Sequence, residues 1–419
     1  MSQHLEADCC IVGCGPAGVM LGLLLARRGA DVVVLEKHTD FLRDFRGDDI
    51  AAATIEILDE LGLAEGFLAL SPRRVRAVRA HTAGGTMLLA DLSRVRTKFP
   101  FVAVVPQWDF LSFLAAEAAT EPGFRLLMGA AATDLVTNDD GVVEGVRFRR
   151  GDEEGVVRAT LTVAADGRTS VLRDRAELPV HATAPPIDMM LFRLPRQPTD
   201  ADEDAINIHL GGSWAMARLD RGDYWQAACM IPKGAADTVR AAGVDALRRA
   251  ISEVMPDLAD HVGALETWDQ IHLLSVQTNR LRRWYRPGLL CIGDCAHAMS
   301  PIGGTGVNFA IQDAVVAANR LAEPILRRAV TTRDLAGVQR ERQWQVRAMQ
   351  LLQSRLTKGY VSAAEGANRG PGAIGQRIAP VLLNLPGFCA LRSRVTALGL
   401  RRVHVAPEFR TAVRRPRQR

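Results

Sequence analysis

Residues 291–314 read CIGDCAHAMSPIGGTGVNFAIQDA and crowd Cys291, Cys295 and His297 into one short stretch. Three chemistries suit those residue types: a metal site, a cysteine nucleophile activated by histidine, or a loop shaped around something larger. A metal needs further ligands at suitable spacing, and a nucleophile needs a base presented from another direction, whereas Cys295 and His297 share one loop. His297 is therefore read as a structural histidine. The chemistry of the stretch falls to Asp294, to the bend at Pro301, and to the glycines around Gly304 and Gly306, which leave the backbone open to close approach.

A second constellation lies at the other end of the chain. Gly13-Cys14-Gly15-Pro16-Ala17-Gly18 follows an apolar run, Ala7 to Val12, and precedes a stretch from Val19 to Arg28 with helical spacing; Asp31 to Leu35 is a second apolar run ending at Glu36. The order strand, GxGxxG, helix, strand, acid within one short unit is the dinucleotide-binding arrangement. Gly13 permits the tight turn, Gly15 admits a pyrophosphate, Gly18 allows close packing, and the helix start offers unpaired N–H groups to phosphate. Glu36 would accept hydrogen bonds from ribose hydroxyls, which favours the unphosphorylated ribose of FAD or NAD over NADP; Lys37 stands beside it. Arg46, in the loop that follows, is a candidate contact to phosphate or to the isoalloxazine ring.

A third segment, LTVAADGRTSVLRDR, carries an apolar strand from Leu161 to Ala165 into Asp166-Gly167, with Ser170 and Arg173 at fixed offsets. The three together resemble the flavin-dependent aromatic hydroxylases typified by p-hydroxybenzoate hydroxylase, the single-component group A monooxygenases. That family shows GxGxxG, DGxxSxxR and GDAAHxxxP in this order, and here Cys295 replaces the first alanine of the last. The resemblance spans about 320 residues. It implies that Asp294 binds the ribityl chain of FAD, that Gly304 to Asn308, with Gly306 and Val307 between, meet the flavin ring through backbone groups, and that Asp166 is structural and linked to the pyridine nucleotide. Gln107, at the start of QWDFLSFLAAEAA, is carried over as a contact to ribityl or phosphate. A helix beginning after Gly306 would favour negative charge on the pyrimidine edge of a reduced ring.

These motifs need elements to hold them. The expected fold is α/β: a Rossmann-like FAD-binding domain of the glutathione-reductase type formed by residues 1–75, 100–178 and 280–325, an inserted β-sheet substrate domain from 76–99 and 179–279, and a C-terminal helical region, 326–419, with a basic tail. Between the second and third motifs, segments at 188–194, 206–219 and 224–232 read as strands roofing a substrate cavity. Met189, Phe192, Trp214, Trp225, Gln226 and Met230 are candidate lining residues, and His209 is the candidate base for deprotonating a phenol. The stretch LLNLPGFCALRSRVTALGL is amphipathic and is expected to cap the flavin domain, with support of a dimer or contact with a hydrophobic substrate carrier as the alternatives.

The implied activity is a monooxygenase that places one atom of O2 on an electron-rich aromatic, quinone-like or polyketide molecule through a flavin C4a-hydroperoxide. NADH or NADPH would serve as a transient reductant without a Rossmann domain of its own. An oxidase, a reductase or a halogenase on the same fold is the rival; halogenases carry WxWxIP, and YWQAACMIPKG has one of those tryptophans. Other classes are excluded more simply. The cysteines show no paired CxxC pattern, so neither a zinc site nor a disulfide framework is expected. The apolar run from Val19 to Ala26 is far short of the ~20 residues a membrane span needs, and a cytoplasmic protein, monomeric or homodimeric, is expected. The net charge of +5 concentrates in a terminal run from Arg410 to Arg419 that lacks interleaved aromatics, so nucleic acid is not an expected partner.

Overall fold

The computed structural model describes residues 3–42, 48–183, 185–211, 213–364 and 386–410. The basic run beyond Arg410 lies outside the described residues. Two sheets organise the chain. The first has eight strands, and its centre is five parallel strands in the spatial order Phe124–Met128, Val32–Glu36, Gln3–Val12, Glu153–Ala164 and Leu289–Cys291. Runs such as CCIV, VVVL and TVA are apolar on both sides because both faces of a parallel sheet are covered. The helix Pro16–Arg27 covers one face and is buried from Ala17 to Ala26. It packs against the helix Gly306–Leu326 and the helix Gln107–Ala118.

Register places the motifs. Val12 pairs with Ala164, and Ala164 pairs with Cys291, so three neighbouring parallel strands finish level with one another. The GxGxxG turn, the Asp166-Gly167 turn and the Gly293-Asp294 turn therefore leave the same edge of the sheet side by side. In open α/β sheets this carboxyl edge is where ligands bind.

Strands Ala130–Thr137 and Val143–Arg150 extend this sheet in antiparallel fashion beyond Glu153–Ala164. The turn between them is set by Asn138, whose Oδ1 accepts from the N–H groups of Asp140 and Val142, and by Gly141 at φ +74°.

The second sheet has seven strands in the order His272–Leu274, Ile187–Pro195, Tyr224–Pro232, Trp214–Asp220, Ala205–Gly211, Ala77–Thr82 and Gly85–Asp91. Its strands are antiparallel except where Ala205–Gly211 runs parallel to Ala77–Thr82, the pairing that unites residues far apart in the chain. One face packs on the helix Val244–Val254 around Met190, Phe192, Met216, Trp225 and Cys229. The opposite face looks across a chamber toward the first sheet.

Two further helices close the chamber. The helix Thr332–Ala364 runs beside Gly306–Leu326. The helix Pro386–Leu398 was expected to cap the flavin domain; instead it lies mainly on strand Gly85–Asp91 of the second sheet and also touches the helix Ala52–Glu60. The backbone N–H of Asp91 donates to Ser393 Oγ at 2.8 Å and fixes this placement. No helix among the described residues is long and apolar enough to cross a membrane.

Candidate active site

The three turns surround one end of a cavity of about 2180 Å³ that continues to the inner face of the seven-stranded sheet. Gly13, Gly15, Pro16, Ala17, Glu36, Lys37, Gln107, Asp166, Asp294, Pro301, Gly304, Gly306, Val307 and Asn308 all border it. Gly18 does not, since it lies one turn into the helix. A Cβ there would stand 1.9 Å from the Gly13 carbonyl oxygen, so Gly18 lets the helix sit against its own turn. Arg46 lies outside the described residues.

The geometry fits FAD at this edge. Gly13 adopts φ +97°, and a Cβ on it would meet the Ala165 carbonyl at 2.4 Å. A Cβ on Gly15 would meet nothing within 4 Å, so the space in front of the helix is open. That helix has proline at its first turn and no side-chain cap, which leaves its leading N–H groups for an anion. The helix Gly306–Leu326 also begins without a side-chain cap, and Gly306 likewise faces open space. Two uncapped helix starts thus border one cavity, suited to a pyrophosphate at one and to an anionic ring edge at the other.

The loops are sewn together by their own side chains. The Glu36 carboxylate accepts from the N–H groups of Cys14 at 2.9 Å and His38 at 3.0 Å, so it holds the fingerprint turn as well as facing the cavity. Arg168 pairs with Asp294 at 3.6 Å. Arg173 donates to the Arg168 and Cys295 carbonyls, and Cys295 Sγ lies 3.2 Å from Ser170 Oγ. Asp166 accepts from the Val171 N–H at 2.9 Å through one oxygen, while the other is buried without a partner. Burial raises its carboxyl above the usual range.

Asn308 is fully used within the protein. Its Oδ1 accepts from the Ala51 N–H at 2.8 Å and from Thr54 Oγ1 at 2.7 Å, and its Nδ2 donates to the carbonyls of Asp49 and Gly304. Its amide thus clamps the loop at 49–54 onto the helix start, and its backbone alone is left for a ligand.

His297 takes no part in the cavity. It is buried, with Nε2 2.6 Å from Asp313 Oδ2, while Asp313 Oδ1 accepts from Arg342 Nε at 2.7 Å. Asp313 also receives the Gly293 N–H at 3.0 Å. Burial pushes the Asp313 carboxyl up, but His297 and Arg342 more than offset this and hold it below the ordinary carboxylate range. The group joins the Gly293 loop to two helices. Among the described residues no cluster of three or more His, Cys, Asp or Glu is placed to hold a metal.

On the second sheet, alternation sorts the candidate lining residues. Met189, Gln226 and Met230 face the cavity, in company with Ile206, Ile208 and Leu210. Phe192, Trp214 and Trp225 do not; they pack on the opposite face against the helix-backed core. Trp225 Nε1 donates to Asp200 at 2.9 Å there. His209 falls on that wrong face too, between Ile208 and Leu210, stacked on His81 at 4.4 Å. Burial, then His81 and Arg218, lower its imidazole to about 4. It does not border the cavity and so is not placed to act as a base there.

Other polar residues border the cavity that motif spacing did not single out. Asp48 and Asp49 come from the segment before the helix Ala52–Glu60, and Arg355 and Tyr360 from the helix Thr332–Ala364. The doubled acid just before an apolar helix start was the visible signal for the first pair. Nothing local marked the second, since only the packing of a distant helix brings it near.

Level strand ends, two uncapped helix starts and the paired DG and GD loops define an FAD-dependent oxidoreductase. The chain belongs to the family described as FAD binding domain, whose match covers residues 6–350. Among curated proteins it is 33% identical over 365 residues to 6-methylpretetramide 4-monooxygenase of Streptomyces rimosus, covering 86% of this chain and 87% of that one. Protoasukamycin 4-monooxygenase of Streptomyces nodosus subsp. asukaensis is 27% identical over 382 residues, with 87% and 91% covered. Among solved structures, Pseudomonas aeruginosa PqsL in complex with 2-aminobenzoylacetate shares the fold at a TM-score of 0.75 and 23% identity, over 87% of this chain and 100% of that one. OxyS anhydrotetracycline hydroxylase of Streptomyces rimosus matches at 0.72 and 21%, over 94% and 76%.

Proposed function

We propose that this protein is an FAD-dependent monooxygenase that places one oxygen atom from O2 on an electron-rich aromatic or polyketide molecule, with NADH or NADPH as reductant. The observation that carries the reading is the continuity of the cavity. Typical ligand pockets measure about 300–1,000 Å³, whereas this one offers about 2180 Å³ between the flavin loops and the inner face of the second sheet. Such a volume accommodates a dinucleotide and a second, polycyclic molecule at once. The relatives named as monooxygenases of a pretetramide and of protoasukamycin span nearly the whole chain and support a substrate of that type.

The bound flavin supplies reducing electrons and activation of O2. The chain's residues do the rest. The uncapped start of Pro16–Arg27 binds the pyrophosphate, and Glu36 meets the adenosine ribose. Asp294 holds the ribityl hydroxyls, and the backbone from Gly304 to Asn308 sets the ring edge. Val78, Ala80, Met87, Met189, Ile208 and Met230 form an apolar wall that excludes water from the reacting face.

Halogenation is the weaker reading. The one tryptophan of YWQAACMIPKG turns into the core, and Lys233 is occupied by Asp188 at 2.7 Å, Ser275 at 2.9 Å and the Val276 carbonyl at 2.8 Å.

Incubation of the yellow holoenzyme with NADH or NADPH, a panel of phenolic polyketides and labelled O2 is expected to yield a product carrying one labelled oxygen atom. Peroxide as the sole oxygen product with every panel member would overturn the reading. In the same preparation Asp294→Ala should lose most of its FAD on gel filtration; full flavin content would remove Asp294 from the site.

A further inference from the structure

We propose that Asp49 is a catalytic residue of this chain, whose carboxylate takes the proton of a phenolic or enolic substrate hydroxyl where the substrate chamber meets the flavin loop. The proposal rests on the monooxygenase reading above for the reaction it serves.

Position comes first. Asp49 lies on the two-residue strand Asp49–Ile50, opposite Val104, and its carbonyl accepts from Asn308 Nδ2 at 2.9 Å. The Asn308 clamp therefore fixes this backbone to the start of the helix Gly306–Leu326. A Cβ on Gly304 would stand 1.9 Å from Asp49 Oδ2 and 2.8 Å from its Cγ. The carboxylate thus lies across the face of Gly304, in the loop set against the flavin ring, and it borders the cavity.

Its lack of partners is the second observation. Adjacent Asp48 is satisfied: Arg221 donates to it at 3.0 Å and the Gln107 N–H at 3.3 Å. No donor among the described residues is within hydrogen-bonding distance of the Asp49 carboxylate. The residue is half-buried and its carboxylate opens on the cavity, where a bound molecule can reach it. A hydroxyl arriving through the cavity supplies the missing donor.

The charges around it suit proton transfer. Asp48 and Arg221 act on it directly, and Arg193 acts on Asp48; residues 301–306 and the strand Val102–Val104 contribute no ionisable side chain. Burial first, then Asp48, push the Asp49 carboxyl up to about 6, with Arg221 opposing. A base poised nearer neutrality is better matched to an acidic hydroxyl than an ordinary aspartate.

In the step, the substrate O–H bond breaks and its proton forms an O–H bond on Asp49. The electron pair stays on the substrate oxygen and raises electron density on the ring carbon to be oxygenated. Nothing is oxidised or reduced in this step, and the proton leaves to solvent after turnover.

The test separates binding from turnover. Calorimetry on the oxidised holoenzyme compares hydroxyanthraquinone with its methyl ether, and the panel compound that takes up labelled oxygen with its own ether, from pH 5 to 8. A hydrogen bond to a carboxylate predicts that the wild type prefers the hydroxyl form by about tenfold or more above pH 6 and loses that preference toward pH 5. Asp49→Asn should show no such pH dependence and should make about a hundredfold less labelled product. Asp49→Glu, which keeps the carboxylate, should restore part of both. A wild type whose preference does not change through pH 6 overturns the proposal, as does an FAD-replete Asp49→Asn with unaltered preference and product yield. If no panel member takes up labelled oxygen, the monooxygenase reading falls instead, and the calorimetry still decides whether Asp49 receives a hydroxyl.

Discussion

Two acids beside the flavin loops, Asp313 and Asp49, illustrate opposite electrostatic solutions. Asp313 is paired on both oxygens, by His297 and Arg342, with no exposure of either the Asp313 or the Arg342 side chain. Removing one partner of such a buried pair typically costs about 3–5 kcal/mol. Arg342→Ala should therefore lower the melting temperature sharply and loosen FAD, as seen by calorimetry and flavin release. Because Asp313 titrates below its unfolded value, its stabilisation is present above about pH 4 and is lost as pH falls through the depressed folded value. Asp49 has the reverse sign. Its carboxyl is raised to about 6, so its share of stability is intact below about pH 4 and is lost as pH rises through 6. Asp49→Asn should match the wild type near pH 4 and exceed it by at most about 3 kcal/mol above pH 7, a difference chemical denaturation would read. The sequence showed the glycines, Glu36 and Asp294, whose tasks are local to their turns. It hid Asp49 and Arg342, because their roles depend on what packs against them from 29 or more residues away.

At the scale of elements, the turn between Gln3–Val12 and Pro16–Arg27 is tightly constrained. Gly18→Ala would set a methyl 1.9 Å from the Gly13 oxygen, and the turn must move to admit it. The expected outcome is a folded protein that retains little FAD, measured by flavin absorbance after gel filtration; normal retention would mean that the turn tolerates the shift. Strand, turn and helix were readable here because apolar runs and glycines mark them directly. The phase of the second sheet was not. Its strands are covered on both faces, by the cavity on one side and the core under Val244–Val254 on the other, so the polar alternation that orients a strand is missing. Nothing in the sequence therefore separates Phe192, Trp214, Trp225 and His209, which lie away from the cavity, from Met189 and Gln226, which line it.

For the whole molecule, one chamber joins the fingerprint turn to the inner face of the second sheet. Glu36 and Gly15 border it at one end and the wall around Met189 at the other. FAD should thus stabilise the fold by mass action, about 2.7 kcal/mol at a hundredfold excess over its dissociation constant. FMN, which lacks the adenylate that would occupy the Glu36 end, should raise the melting temperature far less in thermal shift measurements. Equal shifts with FAD and FMN would count against the placement of the adenosine half.

The alternating faces of the seven-stranded sheet bear on how this chain can diverge. Met189, Gln226, Met230 and Ile208 meet the cavity, while their sequence neighbours Met190, Trp225 and Cys229 hold the core. Selectivity and folding are thus written in interleaved letters along the same strands. A gene library randomised only at the cavity-facing letters reshapes the cavity and leaves the core set untouched, so this wall can vary at less cost to folding than the face behind it.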